Sequence, residues 1–160
     1  MQTNHNLMEI INLSDRQNIV TDDKLYKIYI QFGILLSELR KKKLTDANIA
    51  FINDAIAELN ALPADINLRK IVKQKQTTIL KILEKEHKIV PKNYYRNIWL
   101  PVGMSAFGLP LGAAFGLAIG NIGLLSIGLP IGMAIGVGVG VNLDKKALTE
   151  GRQLDVEVKY

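Results

Sequence analysis

Residue types on which many catalytic and redox sites depend are scarce in this sequence. It has no cysteine, which excludes disulfides, thiolate-bound metals and a cysteine nucleophile. It has two histidines, and only Glu84-x-x-His87 has the spacing of half a di-iron site, which requires a second such pair. The phosphate-binding GxxxxGK motif is also missing. We therefore expect no metal, no cofactor and no enzyme activity.

A secretory signal is not evident at the N-terminus. The first residues, MQTNHNLMEIINLSD, have no basic segment, no long apolar run and no small-residue cleavage site. Residues 1–96 instead carry 16 basic and 11 acidic side chains. We expect this charged part to remain in the cytoplasm.

Charge is absent from residues 97–143, a run of 47 residues. A bilayer core about 30 Å thick needs about 20 helical residues, so this run has the length of two spans. We predict helices over about 98–119 and 122–141, joined by a turn at 120–123, because Asn and Gly tolerate positive φ. The alternative is a soluble protein whose glycine-rich core is buried by partner chains.

Glycine recurs at every fourth position in both predicted spans. GLPLGAAFGLAIG, residues 108–120, is repeated as GLPIGMAIGVGVG, residues 128–140. Glycine stripes let neighbouring helices approach closely, so that van der Waals contacts and weak Cα–H···O bonds drive their association. The predicted helix-packing residues are Gly108, Gly112, Gly116, Gly120, Gly128, Gly132, Gly136 and Gly140.

Two prolines, Pro110 and Pro130, are expected at about the same depth in the membrane. A proline cannot donate a backbone hydrogen bond and frees the carbonyl four residues earlier, here those of Ala106 and Ser126. We predict a kink in each span, with the Ser126 hydroxyl compensating in the second. A hinge or gate and simple tolerance of proline in membrane helices both remain open.

Basic residues flank the uncharged run, whereas its turn carries none. Because Lys and Arg are enriched at the cytoplasmic ends of spans, we predict a multi-pass inner-membrane protein with both termini cytoplasmic. Residues 69–96, with nine basic and two acidic residues, are typical of contact with anionic lipid headgroups. The predicted headgroup contacts are Lys81, Lys85, Lys88, Lys92, Arg96, Lys145 and Lys146, and the predicted interface aromatics are Tyr94, Tyr95 and Trp99.

Three amphipathic helices are predicted before the hairpin. Apolar residues recur at three- and four-residue steps over 25–39, 49–62 and 68–89. The candidate residues that cap or start these helices are Asp22 or Asp23, Thr45 or Asp46, and Asp65. The polar stretch KQKQTT, residues 73–78, is expected to extend beyond the bundle core as a stalk. The tail is expected to fold back on the bundle.

The GLPxGxAxG stripes, the GNIG turn and the exit sequence VNLDKKALTEGRQL resemble uncharacterised small bacterial membrane proteins with a glycine-zipper helical hairpin. The resemblance covers residues 97–154. It implies the hairpin and implies no activity.

We therefore predict an all-α chain in four parts: an N-terminal segment (1–21), a cytoplasmic helical bundle with a basic juxtamembrane helix (22–96), a transmembrane hairpin (97–143) and a cytoplasmic tail (144–160). The first hypothesis is a homo-oligomeric membrane assembly, a pore or permeabilising effector. The alternative is an anchor or adaptor that places a partner-binding bundle at the inner membrane face. Both hypotheses expect membrane lipid as a partner. Only the anchor or adaptor hypothesis expects a protein partner, and neither hypothesis expects nucleic acid.

Overall fold

A computed structural model describes residues 9–16, 19, 22–63, 67–121, 123 and 125–158, and this part of the chain is mostly helical. The elements in chain order are α1 (Asp23–Leu39), α2 (Asp46–Ala61), α3 (Leu68–His87), β1 (Val90–Lys92), α4 (Tyr94–Gly103), a π-helical segment (Met104–Gly108), α5 (Leu109–Ile119), α6 (Leu125–Thr149) and β2 (Gln153–Glu157). The predicted all-α fold with an apolar helical hairpin is confirmed. The sequence did not predict β1 and β2, which pair in a two-stranded sheet.

The chain divides into two compact units. The first contains residues 1–89 and 154–160, and the second contains residues 90–153. The sequence pattern places the corresponding boundary at 96/97 and treats residues 144–160 as a separate tail. In the structure, α6 continues to Thr149, and the end of the tail belongs to the first unit.

The helices of the first unit begin at capping residues. The Asp22 carboxylate accepts hydrogen bonds from the backbone N–H groups of Lys24 and Leu25, which α1 itself leaves unpaired. The Thr45 hydroxyl does the same for Asn48 at the start of α2. Asp65, the candidate for α3, lies outside the described residues. Asp22 and Thr45 are therefore the capping residues, and Asp23 and Asp46 are the first residues of the two helices.

The core of the first unit is built from one apolar face of each helix and from the tail. Its most deeply buried side chains are Phe32, Leu35, Leu36, Leu39, Ile52, Ile56, Leu59, Leu68, Val72, Ile79, Leu83 and Leu154. The tail contributes Leu154, Val156 and Val158 to this cluster. Each such burial stabilises by about 1.5–3 kcal/mol, so the tail is fixed to the bundle by its apolar residues. It folds back as expected.

The predicted stalk in α3 is wrong. Gln76 is 2% exposed, and Val72 and Ile79 are buried beside it. Positions 72, 76 and 79 are three or four residues apart and therefore share one face of the helix. The polar stretch thus crosses the core, with Lys73, Gln74 and Thr78 on its exposed face. Within the described chain, Gln76 Nε2 has no hydrogen-bond partner.

Glu38 connects the tail to α1. Its Oε2 accepts a hydrogen bond from Asp155 N at 3.1 Å, and its Oε1 accepts one from Lys41 Nζ. The Lys41 ammonium, and then the Asp155 N–H, lower the pKa of Glu38. Because this folded-state pKa is lowered, the stabilisation is fully present above about pH 4.3 and is lost as the pH falls through the folded value.

We therefore expect Glu38→Gln to reduce the loss of bundle stability on acidification below about pH 4.3. Urea unfolding of the full chain in detergent, followed across this pH range, measures the effect. Asp54→Asn is the matched control, because Asp54 is an exposed carboxylate on α2. An unchanged acid dependence in Glu38→Gln would contradict the assignment.

Candidate functional site

Two helices of the second unit are long and apolar enough to cross a membrane. They are Tyr94–Ile119, which comprises α4, the π segment and α5, and Ser126–Thr149 within α6, with 26 and 24 residues. At 1.5 Å per residue, each exceeds the hydrocarbon thickness of about 30 Å. We call Tyr94–Ile119 the first hairpin helix.

The outward faces of the hairpin are apolar. Leu117 is 81% exposed and Ile119 is 67% exposed. The other large exposed apolar side chains of these helices are Ile98, Val102, Phe107, Leu109, Phe115, Ile127, Ile131, Met133, Ile135, Val139 and Leu148. Soluble monomers rarely expose so extensive an apolar surface, whereas lipid would solvate it.

The two glycine stripes face each other inside the hairpin. A Cβ atom built on Gly132 would lie 2.5 Å from Gly103 O and 2.6 Å from Gly108 Cα. A Cβ atom on Gly128 would lie 2.6 Å from Gly112 Cα. All of these glycines are buried. Backbone therefore packs on backbone at distances that exclude any larger residue.

The same contact continues toward the charged end of the hairpin. A Cβ atom on Gly136 would lie 2.9 Å from the carbonyl carbon of Trp99 and closer still to its oxygen. A Cβ atom on Gly140 would lie 2.7 Å from Arg96 N and 2.8 Å from Tyr95 O. The α6 stripe therefore follows the first hairpin helix back to its N-terminus.

Gly103 belongs to this contact, although the four-residue spacing did not predict it. The spacing that connects Gly116, Gly112 and Gly108 points next to Met104. The π segment intervenes, and the Leu109 N–H bonds to Met104 O five residues earlier. The wider turn moves the glycine face back by one residue, onto Gly103.

Gly120 lies outside the helix contact. Its φ is +72°, and its N–H donates to Gly116 O, which ends α5 in the left-handed conformation that glycine adopts readily. Gly120 is exposed, whereas Gly116 is buried. The predicted stripe of the first helix therefore ends at Gly116, and Gly120 forms the turn.

The prolines are accommodated differently from the prediction. Pro110 lies in the first turn of α5, directly after the π segment, and Pro101 lies within α4. The Ser105 hydroxyl donates to Pro101 O at 2.9 Å. The Ser126 hydroxyl donates to Gly123 O at 2.8 Å, so the predicted compensation at Pro130 is wrong. The α-helix of α6 continues through Pro130.

A carboxylate of α6 caps the first hairpin helix. Asp144 Oδ1 accepts a hydrogen bond from Tyr95 N, and Oδ2 accepts one from Arg96 N, both at 3.0 Å. Asp144 is only 8% exposed. Asn93, at the N-cap position, makes no side-chain cap bond within the described chain, so Asp144 supplies the missing acceptors. The sequence contains a signal for this cap, because Asp144 is the first charged residue after the uncharged run.

The predicted headgroup residues do not share one helix face. Lys81 and Lys85 are exposed on α3, but Lys88 ends that helix with φ 55° and pairs with Glu84 at 3.6 Å. Lys92 lies in β1, so helical spacing does not connect it to the others. In the second unit, Arg96 is half-buried, Lys145 is exposed, and Lys146 lies 3.9 Å from Glu150.

The predicted interface aromatics cluster at the start of the first hairpin helix. The Tyr94 and Tyr95 rings meet edge to face, with centroids 5.2 Å apart. Trp99, one turn later, is half-buried and presents its backbone carbonyl to Gly136. These positions suit the level of a membrane–water interface.

The half metal motif of α3 is engaged in other contacts. His87 Nε2 lies 2.7 Å from Asn48 Nδ2, and Glu84 pairs with Lys88. Among the described residues, no three His, Asp or Glu side chains are placed to hold a metal ion together.

Comparison with protein-family models, curated proteins and solved structures found no match. A functional proposal must therefore be based on the geometry of the hairpin and the bundle themselves.

Proposed function

We propose that the chain is a membrane anchor and adaptor: the hairpin spans the inner membrane and holds the helical bundle at the cytoplasmic face. The observation that carries this proposal is the glycine contact. The buried glycines of both helices are used within one hairpin, at backbone distances that leave no room for a third helix between them. Such a hairpin is a complete two-helix membrane unit without a second copy.

The flanking charges support the orientation. Lys92 and Arg96 precede the uncharged run, and Lys145 and Lys146 follow it, whereas the turn at 120–123 carries no charge. The rule that basic residues remain in the cytoplasm places both ends on the inner side. The bundle then lies in the cytoplasm.

The bundle offers a surface for a protein partner. Tyr26, Ile30 and Ile34 are 40%, 46% and 46% exposed and lie four residues apart on α1. This spacing forms one apolar stripe on a helix face. An adaptor uses such a stripe to receive an apolar face of another protein.

A second candidate function is the homo-oligomeric assembly, including a pore. A second stripe of small or polar residues occupies the outer face of α6: Ser126, Pro130, Ala134, Gly138 and Asn142 are all exposed. It lies two residues, and hence about 200°, from the buried glycines. Small residues on an outward face favour contact with another hairpin. A pore lined by these residues would gate by wetting, because the run contains no charge.

Native mass spectrometry of the nanodisc-held chain separates the two functions. The anchor predicts a monomer that stays monomeric in Gly138→Leu, because a Cβ atom there meets nothing within 4 Å among the described residues. The assembly predicts a defined oligomer that Gly138→Leu disperses. Co-flotation with phosphatidylcholine vesicles tests the shared premise, since a chain that stays with the soluble fraction would contradict both functions.

A further inference from the structure

We propose that a cleft at the base of the hairpin binds the headgroup of an anionic phospholipid. The cleft has a volume of about 250 Å³, and its lining includes Lys92, Asn93, Val141, Asp144, Lys145 and Leu148. Drug-sized ligands occupy pockets of about 300–1,000 Å³, so this smaller volume suits a phosphate with its glycerol. The inference rests on the proposed membrane anchor, because its ligand is a membrane lipid.

The cleft lies where the uncharged run ends. Asp144 and Lys145 are the first charged residues after the run, and β1 with the turn at Asn93 brings Lys92 beside them. In a hairpin that spans the bilayer, this end of both helices lies at the level of the lipid phosphates. A lysine at that level gains about 1 kcal/mol from an anionic leaflet.

The charge of the cleft suits an anion. Its lining has two lysines and one carboxylate, and both lysines are exposed. The charge of this carboxylate, Asp144, is partly offset, since its two oxygens accept hydrogen bonds from Tyr95 N and Arg96 N. The positive end of the α4 dipole further offsets its charge. A phosphate entering the cleft therefore encounters net positive charge.

Apolar groups on the same side of α6 distinguish a lipid from a free phosphate. Leu148 is 62% exposed, although it lies beyond the charged residues that end the run. Val141, Lys145 and Leu148 are three or four residues apart and share one face of the helix. Val141 lies on the membrane side of Lys145, and this order of an apolar and a cationic side chain matches a lipid, whose acyl chains and glycerol precede its phosphate.

The test uses the full chain in detergent micelles, titrated with phosphatidylglycerol or phosphatidylcholine and followed by native mass spectrometry. We expect the wild type to retain phosphatidylglycerol in preference to phosphatidylcholine. The double variant Lys92→Gln/Lys145→Gln should bind phosphatidylglycerol about thirtyfold more weakly, since each lysine contributes about 1 kcal/mol. Lys146→Gln is the matched control, because Lys146 is adjacent in sequence, does not line the cleft and lies near Glu150.

Three results would overturn the inference. The first is an equal loss in Lys146→Gln, which would indicate diffuse charge attraction. The second is a wild type without preference between the two lipids. The third is displacement of phosphatidylglycerol by an equal concentration of inorganic phosphate, which would indicate a phosphate site. Far-UV circular dichroism checks that each variant keeps its helices. A chain that floats with phosphatidylcholine vesicles but shows any of these results retains the anchor and loses only the lipid site.

Discussion

Gly136→Ala is expected to separate the hairpin helices near their charged end, whereas Gly138→Ala is expected to leave them packed. The two glycines lie two residues apart in the same helix and differ in what a new methyl group would meet. At Gly136 it would collide with the Trp99 carbonyl, which is backbone and cannot rotate away. At Gly138 it would meet nothing within 4 Å among the described residues. Overpacking a tight contact costs about 1–3 kcal/mol.

Trp99 provides the measurement for this pair. It is the single tryptophan of the chain and lies at the contact that Gly136→Ala disturbs. We expect a changed Trp99 emission spectrum and a lower midpoint of thermal unfolding in micelles for Gly136→Ala only. Vesicle co-flotation should persist in both variants, because insertion depends on apolar length and not on helix packing. Equal midpoints for the two variants would show that the stripe is not a close helix contact.

The sequence predicted the elements of the hairpin because its signals are local. The length of the uncharged run indicates the number of spans that it can form. The recurrence of Gly128, Gly132 and Gly136 marks one face of a helix. It could not predict the partner of each glycine. Whether two stripes contact each other or neighbouring copies depends on the register between the helices. In the structure, Gly103 and the π segment set that register.

The pairing of β1 with β2 was also not predicted from the sequence. β1 has only three residues, and one of them is Pro91, which is unfavourable in a strand. Only the pairing of β1 with β2 therefore identifies it as a strand. The apolar tail residues Leu154, Val156 and Val158 alternate with polar residues over 154–158, which is a strand pattern. That pattern was available in the sequence, but five residues are too few to separate it from an irregular tail.

Asp144→Ala is expected to release the first turn of α4. The substitution leaves the Tyr95 and Arg96 N–H groups without their acceptors, and Asn93 makes no side-chain cap bond among the described residues. Hydrogen bonds to a charged group contribute about 1.5–3 kcal/mol each, and a lost N-cap typically costs about 0.5–2 kcal/mol. We expect a destabilisation of about 2 kcal/mol, because water at this end of the hairpin replaces part of the lost bonding.

Asp144→Asn and Asn142→Ala complete the test. The side-chain amide that the first substitution introduces has one carbonyl oxygen, which accepts one of the two bonds, so Asp144→Asn should cost about half as much. Asn142 is exposed on α6 two residues earlier, and its removal should have little effect. Amide hydrogen exchange over the first turn of α4 measures local opening, and we expect it to accelerate most in Asp144→Ala. Unchanged exchange there would mean that solvent caps α4 and that Asp144 is not the contact that fixes the base of the hairpin. Accelerated exchange confined to that turn would show that one carboxylate joins the start of the first hairpin helix to the end of the second.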